Sequence, residues 1–249
     1  MKRVWIGLML CINVIWANEA YEIAKKSYDV MYGYKSSISM VDMVLINAQG
    51  SENQRKFELK KLEGDDGDKS LLTFVYPIDV KDTKLLSFEH IGTDDDQWLY
   101  LPELKRTKRI LSKNKSGSFM GSEFSYEDIS SQNYKKYDYI AEVKEESYEG
   151  TQCFVIQRIP IDKNSAYSKQ IVYVDKKTYL AKYGEYFDKQ NKLLKKISFL
   201  EYSKLSNIYR VKKIDMLNVQ TNKRTTLIYT EDKINQNLSE NDFSQRVLQ

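Results

Sequence analysis

Residues 171–202 read IVYVDKKTYLAKYGEYFDKQNKLLKKISFLEY. Three apolar, aromatic-rich runs, Ile171–Val174, Leu180–Phe187 and Leu193–Tyr202, are separated by the polar tetrapeptides Asp175-Lys176-Lys177-Thr178 and Asp188-Lys189-Gln190-Asn191. Tyr, Phe, Val and Ile fit a pleated, half-buried surface. Short polar turns between such runs make successive antiparallel hairpins. The stretch therefore reads as a meander of strands.

The same rhythm extends outward. Downstream, Ile208–Val219 and Thr225–Tyr229 add two strands, and Ser239 with Asp242 three positions on predicts a short terminal helix. Upstream lie Cys153–Ile159 and Tyr137–Val143. Further back come residues 38–48, 55–62, Leu71–Tyr76, Leu85–Ile91, Gln97–Leu101 and Thr107–Leu111. Pro77 and Pro102 end two of these runs, and Asp-rich turns at 64–68 and 92–96 separate others. Short strands at regular spacing describe a barrel or sandwich rather than βαβ units. Only residues 19–34 have the helical period, with Ala20, Ile23, Ala24, Ser27, Met31 and Tyr34 on one stripe and Gly33 as a stop. A lone amphipathic helix must lay its apolar side on the sheet. The expected class is mainly β with helices, an α+β fold.

Residues 112–135 break the rhythm. A polar loop, Lys113–Ser118, precedes Phe119, Met120, Phe124 and Tyr126, with Gly121 between them and acids at Glu123, Glu127 and Asp128. This is either a functional loop with a helical turn or a surface loop whose aromatics tuck into the core.

The N-terminus reads as an export signal. Lys2 and Arg3 precede the apolar run Val4–Trp16, and Ala17 offers a cleavage site, made imperfect by the large Ile15, with an uncleaved anchor as the alternative. The run falls short of the roughly 20 residues of a membrane span. Cys11 only loosely resembles a lipidation site, because Leu10 before it is large. The expected organisation is a signal peptide over 1–17 and one domain over 18–249, in the periplasm. Removal of the signal leaves Cys153 as the sole cysteine, expected to be a buried small hydrophobe, and Trp98 as the sole tryptophan.

Composition excludes several classes. Hydrophobic residues make up 41% and aromatics 12%, so the chain can build a core. A formal charge of +4 among 39 basic and 35 acidic residues is weak for a nucleic-acid binder. The single histidine, His90, argues against most zinc sites and against a catalytic triad. No G-x-S-x-G elbow is present, and Gly117-Ser118-Phe119-Met120-Gly121 lacks the closing residues of a phosphate loop. The Asp-rich turns do not match an EF-hand. No catalytic residue, metal site or cofactor is expected. The run Lys105-Arg106-Thr107-Lys108-Arg109 suits either anionic headgroups or an acidic partner, or else a solvated strand edge.

Two continuous segments carry a resemblance. Asp95 through Ile110, read as DDQWLYLPELKRTKRI, and Ser116 through Ile129, read as SGSFMGSEFSYEDI, resemble the motifs of the outer-membrane lipoprotein-sorting protein family, relatives of the periplasmic lipoprotein carrier LolA. Asp68–Phe74 and Pro77–Thr83 fit its early strand and turn, with Asp82 standing where the family more often has glycine. The resemblance implies a strongly curved, incomplete antiparallel β-barrel with a helical lid. It also implies an apolar cavity between sheet and helix that accepts an acyl chain or other hydrophobic ligand. An inner-membrane exporter and an outer-membrane acceptor are the implied partners. On that basis Trp98 and Tyr100, two apart and so on one strand face, are expected to line the cavity. Phe119, Met120, Phe124 and Tyr126 are expected to lid it, while Lys105, Arg106, Lys108 and Arg109 flank its mouth and meet a headgroup or partner. The alternative is an adaptor or sensor for an envelope membrane protein that carries nothing.

Overall fold

The computed structural model describes residues 19–130, 132–139 and 142–248. The export signal, its cleavage site and Cys11 lie outside the described residues. After a helix, α1 (residues 19–29), the N-terminal strands are β1 (Ser36–Ile46), β2 (Glu52–Leu62), β3 (Lys69–Tyr76), β4 (Lys84–Phe88), β5 (Asp96–Leu101) and β6 (Arg106–Ile110). A crossing segment holds the short helix α2 (Tyr126–Ile129). Then come β7 (Tyr137–Asp138), β8 (Lys144–Tyr148), β9 (Thr151–Pro160), β10 (Lys169–Asp175) and β11 (Ala181–Phe187), followed by β12 (Leu193–Leu205), β13 (Ile208–Asn218) and β14 (Lys223–Ile234).

These strands form one antiparallel sheet of 14 strands in the order β6-β5-β4-β3-β2-β1-β14-β13-β12-β11-β10-β9-β7, with β8 also on β9. Two meanders, β1–β6 and β9–β14, are thus joined by pairing the first strand with the last. Val41 faces Tyr229 and Met43 faces Leu227 across that seam. The sheet curves without closing, since β6 pairs only with β5. The expected incomplete antiparallel barrel is the observed architecture. Among the described residues, no helix is long and apolar enough to cross a membrane.

The helix is shorter than the 19–34 expected. Its hydrogen bonding ends in a turn near Val30, and Gly33 has φ 96°, a left-handed conformation suited to glycine. Ala20, Ile23 and Ala24 are buried as the stripe requires, packed against Tyr134, Tyr137, Tyr139, Ile156, Val172 and Val174. The expected strand Tyr137–Val143 contracts to two residues, Tyr137 and Asp138, paired with Pro160 and Ile159. Strand β8 had no signal in the sequence. Its run Lys144-Glu145-Glu146-Ser147-Tyr148 is mostly exposed and is held by pairing with β9 and by Tyr148 stacked on Tyr183. The terminal helix is realised as two 3₁₀ turns, Glu240–Phe243 and Gln245–Leu248, the first opened by the Ser239–Asp242 capping box.

Three apolar clusters hold the fold. The largest lies on the inner face of the sheet, where Phe57, Leu72, Phe74, Leu85 and Leu99 meet Phe119 and Phe124 of the crossing segment. A second lies beneath α1. The third lies on the outer face, where Leu71, Leu86, Trp98 and Tyr100 are covered by Phe243 and Leu248 of the terminal turns. The register makes this division unavoidable. Leu72, Leu85 and Leu99 form one row across β3, β4 and β5, and Leu71, Leu86 and Trp98 form the adjacent row on the opposite face.

Candidate functional site

A cavity of about 310 Å³ lies between α1, the crossing segment and the inner face of the sheet. That volume is at the lower end of small-molecule pockets. Period two builds its walls: Phe57 and Leu59 on β2, Ile156 on β9, Val172 and Val174 on β10, Ile197 and Phe199 on β12, and Met216 and Leu227 on β13 and β14. The helix closes one side with Ala24, Ser27 and Tyr28, followed by Met31 in the turn after it, and the crossing segment contributes Phe124 and Ile129. Gly184 on β11 also lines the cavity, and a Cβ there would come within 2.9 Å of the Ile197 side chain.

The crossing segment is anchored by polar ties. Ser125 caps α2 in a reciprocal box with Asp128. The same Asp128 carboxylate accepts from Tyr167 at 2.8 Å and from the Lys195 ammonium at 2.9 Å. Glu127 accepts from the Ala166 amide at 2.9 Å and from the Ser165 hydroxyl, yet burial still pushes its carboxyl above the ordinary range. The fully buried Gln97 of β5 donates to the Tyr126 carbonyl at 3.1 Å and to Ser130 Oγ at 2.9 Å. α2 is therefore held between β5 and β12, under the lumen.

Charged groups also enter the lining: Lys61, Asp68, Asp128, Arg158 and Arg210. Arg210 is paired through two hydrogen bonds with Asp232, at 2.8 and 3.0 Å. Burial lowers the Lys61 ammonium and raises the Asp68 carboxyl, each partly offset by the attraction of the other. Asp68 also accepts from the Tyr32 hydroxyl.

The predicted site residues fall in three places. Trp98 and Tyr100 do share a face, but it is the outer one. They pack under the C-terminal turns, and Leu99 between them points inward. The expectation that their face lines the cavity is corrected: both faces of β3–β5 are apolar, so alternation marks two rows without telling which is inside. Phe119 is fully buried, stacked on Phe74 and edge-on to Tyr126, while Met120 and Tyr126 pack on the same core. Of the four expected lid residues, Phe124 lines the cavity itself. Lys105, Arg106, Lys108 and Arg109 are exposed on the β5–β6 edge hairpin, outside the lining, with Arg109 on the Asp96 carboxylate. The sequence reading found strands β9 to β14 but did not assign their residues to the lining. Ile156 followed by Arg158 and Leu59 followed by Lys61, each a charge closing an inward apolar row, were the signal available.

A second cavity, also of about 310 Å³, opens between the β4–β5 and β9–β10 connections. His90, Asp94, Asp95, Lys115, Glu127 and Lys136 line it, so it lacks the continuous apolar wall of the first. Among the described residues, no group of three or more His, Cys, Asp or Glu side chains is placed to hold a metal. Cys153 is buried and unpaired in a disulfide, as expected, and burial pushes its thiol up.

A family model described as "Uncharacterized protein" matches residues 66–249. A domain from Vibrio parahaemolyticus assigned to the outer membrane lipoprotein-sorting proteins is 43% identical, with a TM-score of 0.90 over 93% of this chain and 99% of its own. A DUF1329 family protein from Desulfovibrio piger is 30% identical, with a TM-score of 0.88 over 94% and 99%. A LolA superfamily protein from Nitrosomonas europaea shares the fold at 17% identity, with a TM-score of 0.75 over 91% and 98%. No curated protein matches the chain.

Proposed function

This chain belongs to the outer-membrane lipoprotein-sorting protein family, and we propose that it acts as a periplasmic carrier or chaperone for a lipoprotein acyl chain or another lipid-like ligand. The carrying observation is the apolar cavity of about 310 Å³ between α1 and the sheet. Each CH₂ group taken from water into such a lumen contributes about 0.8 kcal/mol, so several carbons already bind usefully without any catalytic group. Phe124 and Ile129 on one side and Tyr28 of the helix on the other give the lumen walls belonging to segments outside the sheet. The exposed Lys105, Arg106, Lys108 and Arg109 serve as a contact surface for anionic headgroups or for a partner such as an inner-membrane exporter or outer-membrane acceptor.

The test is occupancy. Protein purified from an envelope fraction should carry a discrete lipid mass in native mass spectrometry. Ser27→Phe places a ring from α1 into the lumen and should abolish that adduct with the far-UV circular dichroism unchanged. An adduct that survives the substitution sends the ligand elsewhere.

A further inference from the structure

Resting on that reading of the cavity, we propose that its ligand is an anionic amphiphile whose carboxylate or phosphate head lies on Arg158. Three cations line the cavity, and two have acids at hand. Arg210 is forked onto Asp232, and Lys61 shares its corner with Asp68. Arg158 differs. Its Nε donates to Gln170 Oε1 at 2.7 Å, and its guanidinium carbon lies 3.9 Å from the centre of the Tyr137 ring. Its other close neighbours are the phenols of Tyr139 and Tyr186. Burial pushes both phenols up to about 12, so they are neutral at pH 7 and cancel none of the charge. Among the described residues no carboxylate forms an ion pair with Arg158. The one acid that lines the same cavity near Tyr186, Asp128, is engaged by Lys195, Tyr167 and the α2 cap.

A charge held inside a protein is ordinarily paired. An arginine surrounded by neutral rings and an amide beside an apolar lumen is therefore matched to a counter-ion that arrives with the ligand. The guanidinium suits this role: it stays charged, it is weakly hydrated, and its planar fork fits carboxylate and phosphate oxygens. Ile156, two residues earlier on β9, shares the inward face with Arg158 and continues into Val172, Val174 and Ile197. Head and tail sites are thus contiguous.

The purified chain, loaded with the fluorescent apolar probe N-phenyl-1-naphthylamine, is titrated with palmitate, hexadecyl phosphate, 1-hexadecanol and inorganic phosphate. Palmitate or hexadecyl phosphate should displace the probe at concentrations about tenfold or more below hexadecanol, the scale of one charge-assisted hydrogen-bonding contact. The better of the two identifies the head. Arg158→Met should bring the anionic amphiphiles to the level of the alcohol and leave the alcohol unchanged, while Arg158→Lys should keep part of the preference. Equal potency of palmitate, hexadecyl phosphate and hexadecanol on the unaltered chain overturns the proposal, and needs no variant to fold. So does an Arg158→Met protein that keeps the preference. Inorganic phosphate competing as well as the amphiphiles reassigns Arg158 to a free oxyanion. Failure of the probe and of every amphiphile to bind removes the cavity reading itself, which is a different result from binding without head-group preference.

Discussion

Arg210 on β13 and Asp232 on β14 illustrate how single side chains keep polar chemistry inside this fold. Their side chains are 13% and 3% exposed. Burial raises the Asp232 carboxyl, but the hydrogen bonds and charge of Arg210 outweigh it, and the group titrates below the usual carboxylate range. A depressed carboxyl contributes stability above its unfolded pKa of about 3.9, and that contribution is lost as pH falls through the lower folded value. Asp232→Ala leaves a buried guanidinium unpaired and should cost about 3 kcal/mol in urea unfolding at pH 7. The difference between the two proteins should shrink below about pH 4; a gap that stays constant into acid contradicts the pairing. Asp82 is a second instructive residue. It has φ 64° and donates its amide to the Phe74 carbonyl. A left-handed position in a tight turn favours glycine, which is the physical reason that the resemblance expected glycine there.

At the scale of elements, strands β3 to β5 differ from an ordinary two-faced strand because both faces are covered. Leu72, Leu85 and Leu99 serve the inner cluster, while Leu71, Leu86, Trp98 and Tyr100 serve the outer one under the terminal 3₁₀ turns. Phe88 is edge-on to Trp98 at 5.1 Å, and Lys84 donates to the Val247 carbonyl at 2.5 Å. The C-terminal turns are therefore a lid on the outside of the sheet. Phe243→Ala should cost roughly 3 kcal/mol, as large-to-small core changes do. It should also red-shift the Trp98 emission, the only tryptophan signal once the N-terminal segment is removed. An unshifted spectrum with a folded protein means that the turns do not cover Trp98. The edge strand β6, with Arg106, Lys108 and Arg109 exposed and Ile110 buried, combines protection of the edge with a cationic surface.

At the scale of the molecule, pairing β1 with β14 brings the two meanders together and leaves the opposite edges apart. The chain must pass from β6 to the β9 edge, and it does so over the inner face, placing Phe119 and Phe124 in the core. The open, curved sheet, spanned in this way and covered by α1, leaves a cavity in its interior. A ligand that binds only the folded state stabilises it by mass action. Stripping bound lipid from the purified protein should lower its melting temperature, and returning palmitate should restore it. A melting temperature indifferent to both treatments contradicts occupancy of the cavity in the isolated protein.

The residues alone determined the strands, the antiparallel meanders and the amphipathic helix, because these follow from local periodicity, turn chemistry and caps. They missed β8, whose Lys144-Glu145-Glu146-Ser147 run is exposed and has no apolar face to reveal it. They also determined that Trp98 and Tyr100 share a face, since parity along a strand is a local property. Which face is inner was decided only by the tertiary structure, because it depends on what packs from elsewhere: the terminal turns on one side, the crossing segment and α1 on the other. The same holds for the cavity and for Arg158. Period two tells which side chains are buried together, whereas the space left between a curved sheet and its covers depends on how all of them pack at once.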